Sequence, residues 1–542
     1  MKNLLFIIIV FFSVPSFLIA QEPPKIEWQK CLGGTKDEDA DPTFKTIVQT
    51  SDGGFIVAGR TSSSDGDVSG IHGGNSDDIW VIKLSSLGNI KWQKCLGGSR
   101  SERADCIVQT FDKGYIIAGF TNSNDGDVLG NHGGDLDGWV VKLDSIGNIQ
   151  WQRCIGGGGY DVAHSIIQTT DSGFAIAGYT DSPDGDISGN HGGGDAWVAK
   201  LNYYGEIQWL KCYGGSSQDA AESIIQNSDG GYSVAGYTWS KEEGFVNHGL
   251  SDAYVIRLDS SGNIITNSKN EIWQKLIGGA NNDGASCITS AIDGGFFVTG
   301  STSSNDGDVS GNRGNYDAWV IKLDSDGSIM WQRCFGGSNG DAATTLINTK
   351  DSGYAFVGYA NSHDGDISGN HGANDVWVVK LNSSGFIEWQ ECLGGSDIDE
   401  GFSIVQTKDG GYAICGRSNS NDGNVMGWHP GGDTTHHTFD IWVVKLSSVV
   451  NSVENSSANH TNFAWVYPNP SNDQAHLYLF QSQTIKRIQF YNLFGIQCFP
   501  NYQMENNLLT IDAHNLPNGS YIVRVSYLNI PTEEVRKFLH FR

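Results

Sequence analysis

Ile26-Glu-Trp-Gln-Lys-Cys-Leu-Gly-Gly34 decides the fold, because the same phrase returns at 90–98, 149–157, 207–215, 271–279, 329–337 and 387–395. Between copies run a segment of the type Ile47-Val-Gln-Thr-Ser-Asp-Gly-Gly-Phe-Ile-Val-Ala-Gly59 and one of the type Asp78-Ile-Trp-Val-Ile-Lys-Leu84, each also present seven times. A period of about sixty residues is one of propellers and arrays rather than of a single compact motif.

Each unit holds four short runs rich in Ile, Val, Trp, Tyr and Phe, bounded by Gly, Asp, Asn and Ser, which are strand and turn signals. We label them a to d. Strand a is expected at 47–50, and the Asp52-Gly53-Gly54 turn returns it into strand b at 55–58 as a tight hairpin. Strand c is expected at 79–84 and, after the turn at 85–89, strand d at 90–95. Four antiparallel strands with no helical periodicity between them make a propeller blade. The first repeated element, 26–31, is a lone d strand, and the last, 441–446, is a c strand whose own d is missing. The two ends complete one blade, so the expected fold is an all-β, seven-bladed β-propeller closed by its N-terminal strand, with no open sheet edge left over.

Trp28, Trp92, Trp151, Trp209, Trp273, Trp331 and Trp389 recur on the d strands, and Trp80, Trp139, Trp197, Tyr254, Trp319, Trp377 and Trp442 on the c strands. Two large flat side chains in every blade suit the wedge-shaped gaps between sheets better than a sugar-stacking platform.

The chain carries 61 acidic against 34 basic residues, a formal net charge of −27, and 71 glycines against 11 prolines. Such a surface opposes nucleic acid and anionic lipid, since phosphate contacts need clustered Lys and Arg. Residues 1–20 read as a secretory signal: Met1-Lys2-Asn3, an apolar run from Leu4, and a small residue at Ala20 before Gln21-Glu22. No later segment is long and apolar enough to span a bilayer. Of ten cysteines, Cys31, Cys95, Cys154, Cys212, Cys334 and Cys392 hold one repeat position, where the remaining copy has Leu276. Equivalent atoms of neighbouring blades lie too far apart to bridge, so buried thiols are expected, with Cys95–Cys106 as the one local pair to check.

The phrase Asp-Gly-Gly-Phe-Ile-Val-Ala-Gly, followed by Trp-Val-Ile-Lys-Leu, Gly-Asn-Ile and Lys-Trp-Gln, resembles the delta-60 and PQQ-type propeller repeats of bacterial exported proteins across 26–446. The propeller is assigned to 21–446 and a Ser- and Asn-rich linker to 447–462. Residues 463–542 read as a small β-sandwich with strands at 475–480, 488–495 and 508–511. Its Tyr467-Pro-Asn-Pro470 opening, Leu-Phe-Gly turn, Leu516-Pro-Asn-Gly-Ser-Tyr521 hairpin and terminal Lys537-Phe-Leu539 resemble the type A C-terminal sorting domain of the type IX secretion system. Asn492 stands where that family usually has Asp. The resemblance implies contact of 463–542 with the type IX secretion machinery and delivery to the outer cell surface, or beyond it, of a Gram-negative bacterium. An appended adhesive sandwich is the plainer alternative.

In an up-and-down blade the a-to-b and c-to-d turns share one face of the ring, and the b-to-c and d-to-a loops the other. Here the second pair is long, and binding residues gather on long loops. The b-to-c loops repeat Asp65-Gly-Asp67, Asp125-Gly-Asp127, Asp184-Gly-Asp186, Asp306-Gly-Asp308 and Asp364-Gly-Asp366, with Asp422-Gly-Asn424 as a variant. Closely spaced carboxylates around a glycine can fold onto calcium, which takes six to eight oxygens; equally, they can cap their own turns. His72, His132, His191, His248, His371 and His429 follow in the same loops, with Arg313 in that place once, which favours hydrogen bonding over a transition metal. Two loops break the pattern: Lys241-Glu242-Glu243 replaces one Asp-Gly-Asp, and an insertion after Trp428 offers His429, Asp433, His436 and His437 as metal ligands or as a solvated loop. Catalytic signatures of the Gly-x-Ser-x-Gly, His-Glu-x-x-His or phosphate-loop kind are absent. The leading expectation is a secreted binding propeller whose long loops contact a glycan, peptide or surface partner. An exported glycan lyase or hydrolase working in the channel is the alternative, and quinone-dependent oxidation a third.

Overall fold

The computed structural model of the chain describes residues 23–40, 45–74, 76–242, 247–431 and 438–448, together with the C-terminal strands named below. Among these residues seven antiparallel sheets form seven blades. In the third blade the order is Asp161–Gln168 (a), Phe174–Thr180 (b), Asp195–Leu201 (c) and Ile207–Tyr213 (d). In the first, strand a comes as two pieces, Glu38–Asp39 and Ile47–Gln49, both paired with Phe55–Thr61. Strands b and c are buried along nearly their whole length because neighbouring blades cover both faces, which is why they read as continuous apolar runs. Strand d lies outermost and is half-exposed.

The ring closes as expected. Ile26–Leu32 pairs antiparallel with Asp440–Leu446, Cys31 opposite Trp442 and Leu32 opposite Ile441, completing the blade of Asp399–Gln406 and Tyr412–Ser418. Seven apolar clusters make up the core, each straddling one junction between blades: Ile56, Ile79 and Val81 of the first blade pack with Ile107, Ile117 and Trp139 of the second. Each ring-closing layer is therefore apolar side chain from two sheets, and burial of this surface drives closure.

The repeated phrase now has a mechanical reading. The c-strand tryptophans Trp80, Trp139, Trp197, Trp319, Trp377 and Trp442 are at most 1% exposed. Their indole N–H donates to the glutamine of the adjacent d strand, as Trp80 to Gln93 Oε1 at 2.7 Å and Trp442 to Gln29 Oε1 at 2.8 Å. Where Leu210 replaces that glutamine, Trp197 donates to the Tyr179 carbonyl at 2.9 Å. The d-strand tryptophans instead meet the first aromatic of the next blade edge to face, Trp92 on Tyr115 and Trp151 on Phe174 at 5.9 and 5.8 Å between centroids. At the short-turn end a buried lysine of strand c ties the a-to-b turn down: Lys142 Nζ donates to Asp112 Oδ2 at 2.9 Å and to the Leu143 carbonyl at 2.9 Å.

Strands a and b extend further than their apolar runs announced. Strand a begins at a fully buried acid, Asp161 in the third blade, and strand b continues to Thr180 opposite it. The polar character of this end hid it. All ten cysteines are free thiols. Cys95 sits on a d strand at the rim and Cys106 on an innermost a strand, where its thiol donates to the Ile166 carbonyl at 3.6 Å, so the local bridge does not form.

A second compact unit spans 452–542. Its described strands form two antiparallel sheets, Val466–Tyr467, Gln474–Tyr478, Leu508–Asp512 and Asn501–Glu505 in one, Gln497–Cys498, Ile485–Asn492, Gly519–Tyr527 and Glu534–His540 in the other. Phe490, Leu509, Ile511 and Val523 on these strands are buried. The signal segment 1–20, most of the linker 447–462, and the Pro468-Asn-Pro470, Leu493-Phe-Gly495 and Leu516-Pro-Asn518 stretches lie outside the described residues. No helix among the described residues is long and apolar enough to cross a membrane.

Candidate functional site

The Asp-Gly-Asp loops turn inward onto the neighbouring connection. Asp125 Oδ1 accepts from Ser99 N at 2.7 Å, Asp184 Oδ1 from Gly158 N at 2.8 Å, Asp306 Oδ1 from Ala280 N at 2.8 Å, Asp364 Oδ1 from Ser338 N at 2.7 Å and Asp422 Oδ1 from Ser396 N at 2.7 Å. Asp65 accepts from both Thr35 N and Thr35 Oγ1 at 2.8 Å. These backbone hydrogen bonds hold the Asp65 and Asp125 carboxyls below the usual range. In the irregular blade Glu242 takes the same place and accepts from Ser216 N, so Lys241-Glu242 keeps the clasp while losing the motif. The second aspartate contributes its backbone: the amides of Asp67, Asp127, Asp186, Asp308 and Asp366 donate to the glycine carbonyl ending the d strand, at 2.8 to 3.0 Å.

The loop histidines serve the same junctions. His132 donates its backbone N–H at 2.9 Å to Asp137 Oδ2, which also contacts Nδ1 at 2.6 Å, while Nε2 faces Asp186 of the next blade at 3.6 Å. Arg313 replaces histidine by bridging to Asp366 and the Gly336 carbonyl. His429 holds Asp440 likewise, through N at 2.9 Å and Nδ1 at 2.8 Å; Asp433, His436 and His437 lie outside the described residues. Among the described residues no three His, Cys, Asp or Glu side chains converge as a metal-ligand cluster. A calcium ion in these loops would draw its remaining oxygens from carbonyls and water.

Sevenfold regularity ends where the face meets the channel. The penultimate residue of strand b reads Arg60, Phe120, Tyr179, Tyr237, Ser301, Tyr359 and Arg417 around the ring. On one side Arg417 binds Asp39 at 2.9 Å and Glu400 at 2.7 Å, and Arg60 binds Asp77 at 2.7 Å. On the other, Tyr160 and Tyr179 pack edge to face at 6.0 Å, with Tyr160 39% and Tyr316 42% exposed. The long loops themselves fold back against their own d strands, Gln152 Nε2 donating to the Leu129 carbonyl at 3.0 Å and Gln332 Nε2 to Ser310 O at 3.1 Å.

Lower in the channel, a β-bulge in strand a adds one residue per blade: Asp105, His164, Glu222, Ser286, Thr344 and Phe402, bracketed by the register shifts at 104/106, 163/165, 221/223, 285/287, 343/345 and 401/403. Lys45 precedes the matching segment of the first blade. Four consecutive blades thus carry Lys, Asp, His and Glu, and three carry Ser, Thr and Phe. Asp105 is fully buried, accepts from Arg103 Nε at 3.1 Å and meets His164 Nδ1 at 3.1 Å. Sequence reasoning missed this arc because the bulge is set by pairing register, which the repeat does not spell out.

Residues 465–539 match the secretion system C-terminal sorting domain family. The chain is a β-propeller repeat protein bearing a type IX secretion sorting domain, exported to the cell surface or outside of a Bacteroidetes-type Gram-negative bacterium. The chain is similar to the regulatory protein FlaEY of Caulobacter vibrioides, 25% identical over 280 residues, which are 49% of this chain and 28% of that protein. The chain thus spans well under half the length of this curated relative. Among solved structures it is similar to PorZ, a surface component of the type IX secretion system of Porphyromonas gingivalis, at 12% identity and a TM-score of 0.36, covering 93% of this chain and 60% of that one. A puromycin hydrolase is similar at 10% identity and a TM-score of 0.40, covering 93% and 62%. Nothing of these proteins' activities transfers at such levels.

Proposed function

We propose that the exported propeller is a recognition module, that its ligand is an extracellular glycan, and that specificity resides at the channel mouth on the long-loop face. The supporting observation is the break in symmetry there: exposed Tyr160 and Tyr316 on one arc face Arg60, Arg417, Asp77 and Glu400 on the other. Aromatic faces suit the apolar side of a sugar ring, and paired charged groups suit its hydroxyls. The repeat phrase itself supports reading the blades as the delta-60 and PQQ-like type.

A glycan array probed with the purified chain tests this reading. Binding that falls at least tenfold in Tyr160→Ala and Tyr316→Ala supports it. Silence across the array from a folded chain, or capture of peptides only, would overturn it.

A second reading, a glycan lyase or hydrolase in the channel, is supported by the unlike residues Lys45, Asp105, His164 and Glu222 on adjacent blades. Polysaccharide cleavage read as new chain ends, lost in His164→Ala, would establish it.

A further inference from the structure

From the level of the bulge residues His164, Glu222 and Ser286 down to Lys350 at the short-turn end, the channel holds a cavity of about 580 Å³. Its size lies within the range of small-molecule sites. Two features of its wall stand apart from the rest of the protein. The side walls are apolar, formed by the half-buried Ile167, Ile225, Ile347 and Val405 of the a strands. The balance of charge on its wall is inverted: Lys45 and Lys350 stand against Glu222, in a chain with 61 acidic and 34 basic residues.

Lys45 is exposed to the lumen, and its charge reaches across it. Burial raises the thiols of Cys106 and Cys287, on the second and fifth blades, and in each the Lys45 ammonium opposes that rise. Lys350 is fixed at the lower mouth, donating to the carbonyls of Thr407 and Lys408 at 2.9 Å. The His164 ring is held by Asp105, whose own charge is matched by Arg103. A low-dielectric wall around a few cations focuses their field on the space between them.

From this arrangement we propose that the lower channel binds a small amphiphilic carboxylate, its head at Lys45 and His164 and its hydrocarbon along the apolar side walls. Cation and apolar wall are both required: the first supplies charge complementarity, the second the burial that holds an alkyl or aryl body. This site is separate from the glycan-binding mouth, since none of its residues lies on the long-loop face. Either assignment can therefore fail alone.

Octanoate and octanamide, of equal length and different charge, are the probes, titrated into the purified chain by calorimetry. The expected result is octanoate binding at least tenfold tighter than octanamide. Lys45→Gln abolishes the difference and Lys45→Arg keeps it, while glycan binding at the mouth is unchanged in both. Equal affinities for the two probes in the native chain, no binding of either, or a preference that survives Lys45→Gln would overturn the proposal.

Discussion

Asp375 and Asp399, from neighbouring blades, flank Gly394 so closely that a β-carbon on that glycine would lie 2.7 Å from Asp375 Oδ1 and 2.6 Å from Asp399 Oδ2. Both aspartates are fully buried. The same pairing recurs at Gly97, between Asp78 and Glu102, and at Gly156, between Asp137 and Asp161. The first glycine of every Gly-Gly step is thus a spacer between two carboxylates. Gly394→Ala is expected to cost about 1–3 kcal/mol, the range of overpacking in a closed site. Denaturant titration checks it, and an unchanged midpoint would refute the spacer role.

Those carboxylates set a pH dependence. Burial pushes Asp317 and Asp399 up to about 6, and burial likewise raises Asp440. A raised folded value means the protonated form is favoured in the fold, so this stabilisation is complete below about pH 4 and is lost as pH rises through 6. Asp112 runs the other way: burial would raise it, but hydrogen bonds from Thr110, Lys142 and Gly114 bring it to about 2, so its contribution is present above about pH 4 and is lost as pH falls through 2. The melting temperature is therefore expected to peak near pH 4–5 and decline towards neutrality. Asp399→Asn should flatten the decline. A curve that climbs steadily from pH 4 to 8 would contradict this account.

The acidic clasps at the rim make a prediction about calcium. Each already accepts a backbone N–H, from Thr35, Ser99, Gly158, Ala280, Ser338 and Ser396 in turn. Equal melting temperatures in EDTA and in millimolar calcium are expected, with Asp125→Ala lowering both. A rise on adding calcium would place the ion in these loops, because a ligand of the folded form stabilises it by mass action.

Ring closure is held by side-chain bonds besides its backbone ladder, among them Trp442 to Gln29 Oε1 at 2.8 Å and Lys445 to Glu27 at 3.1 Å. Gln29→Ala leaves a buried indole donor without its acceptor and should cost about 1–2 kcal/mol. Deleting residues 23–32 bares the edge of Asp440–Leu446 and should give aggregated material on gel filtration. A monodisperse, fully folded deletion variant would argue against closure by this strand.

Export is testable by fractionation. A chain ending at residue 462 should accumulate in the periplasm, while the full chain reaches the surface or medium; equal export of both would remove the sorting role of 463–542.

The sequence by itself determined the blade count, the strand order and the closing partner, because each blade writes the same apolar pattern and the two ends carry complementary fragments of it. Trp80 and Trp139 were legible as core for the same reason: a residue needed at every wedge repeats at every wedge. Tertiary structure alone decided what the conserved-looking loop acids do, since Asp125 and Ser99 are 26 positions apart and meet only when consecutive blades dock. It also decided the channel. Lys45, Asp105, His164 and Glu222 hold one repeat position, 60, 59 and 58 residues apart, but differ in type at each, and only the bulge register and the curvature of the ring set them side by side around the channel. Local pattern dictates repeated elements, whereas a site built once per ring is made of the residues that do not repeat.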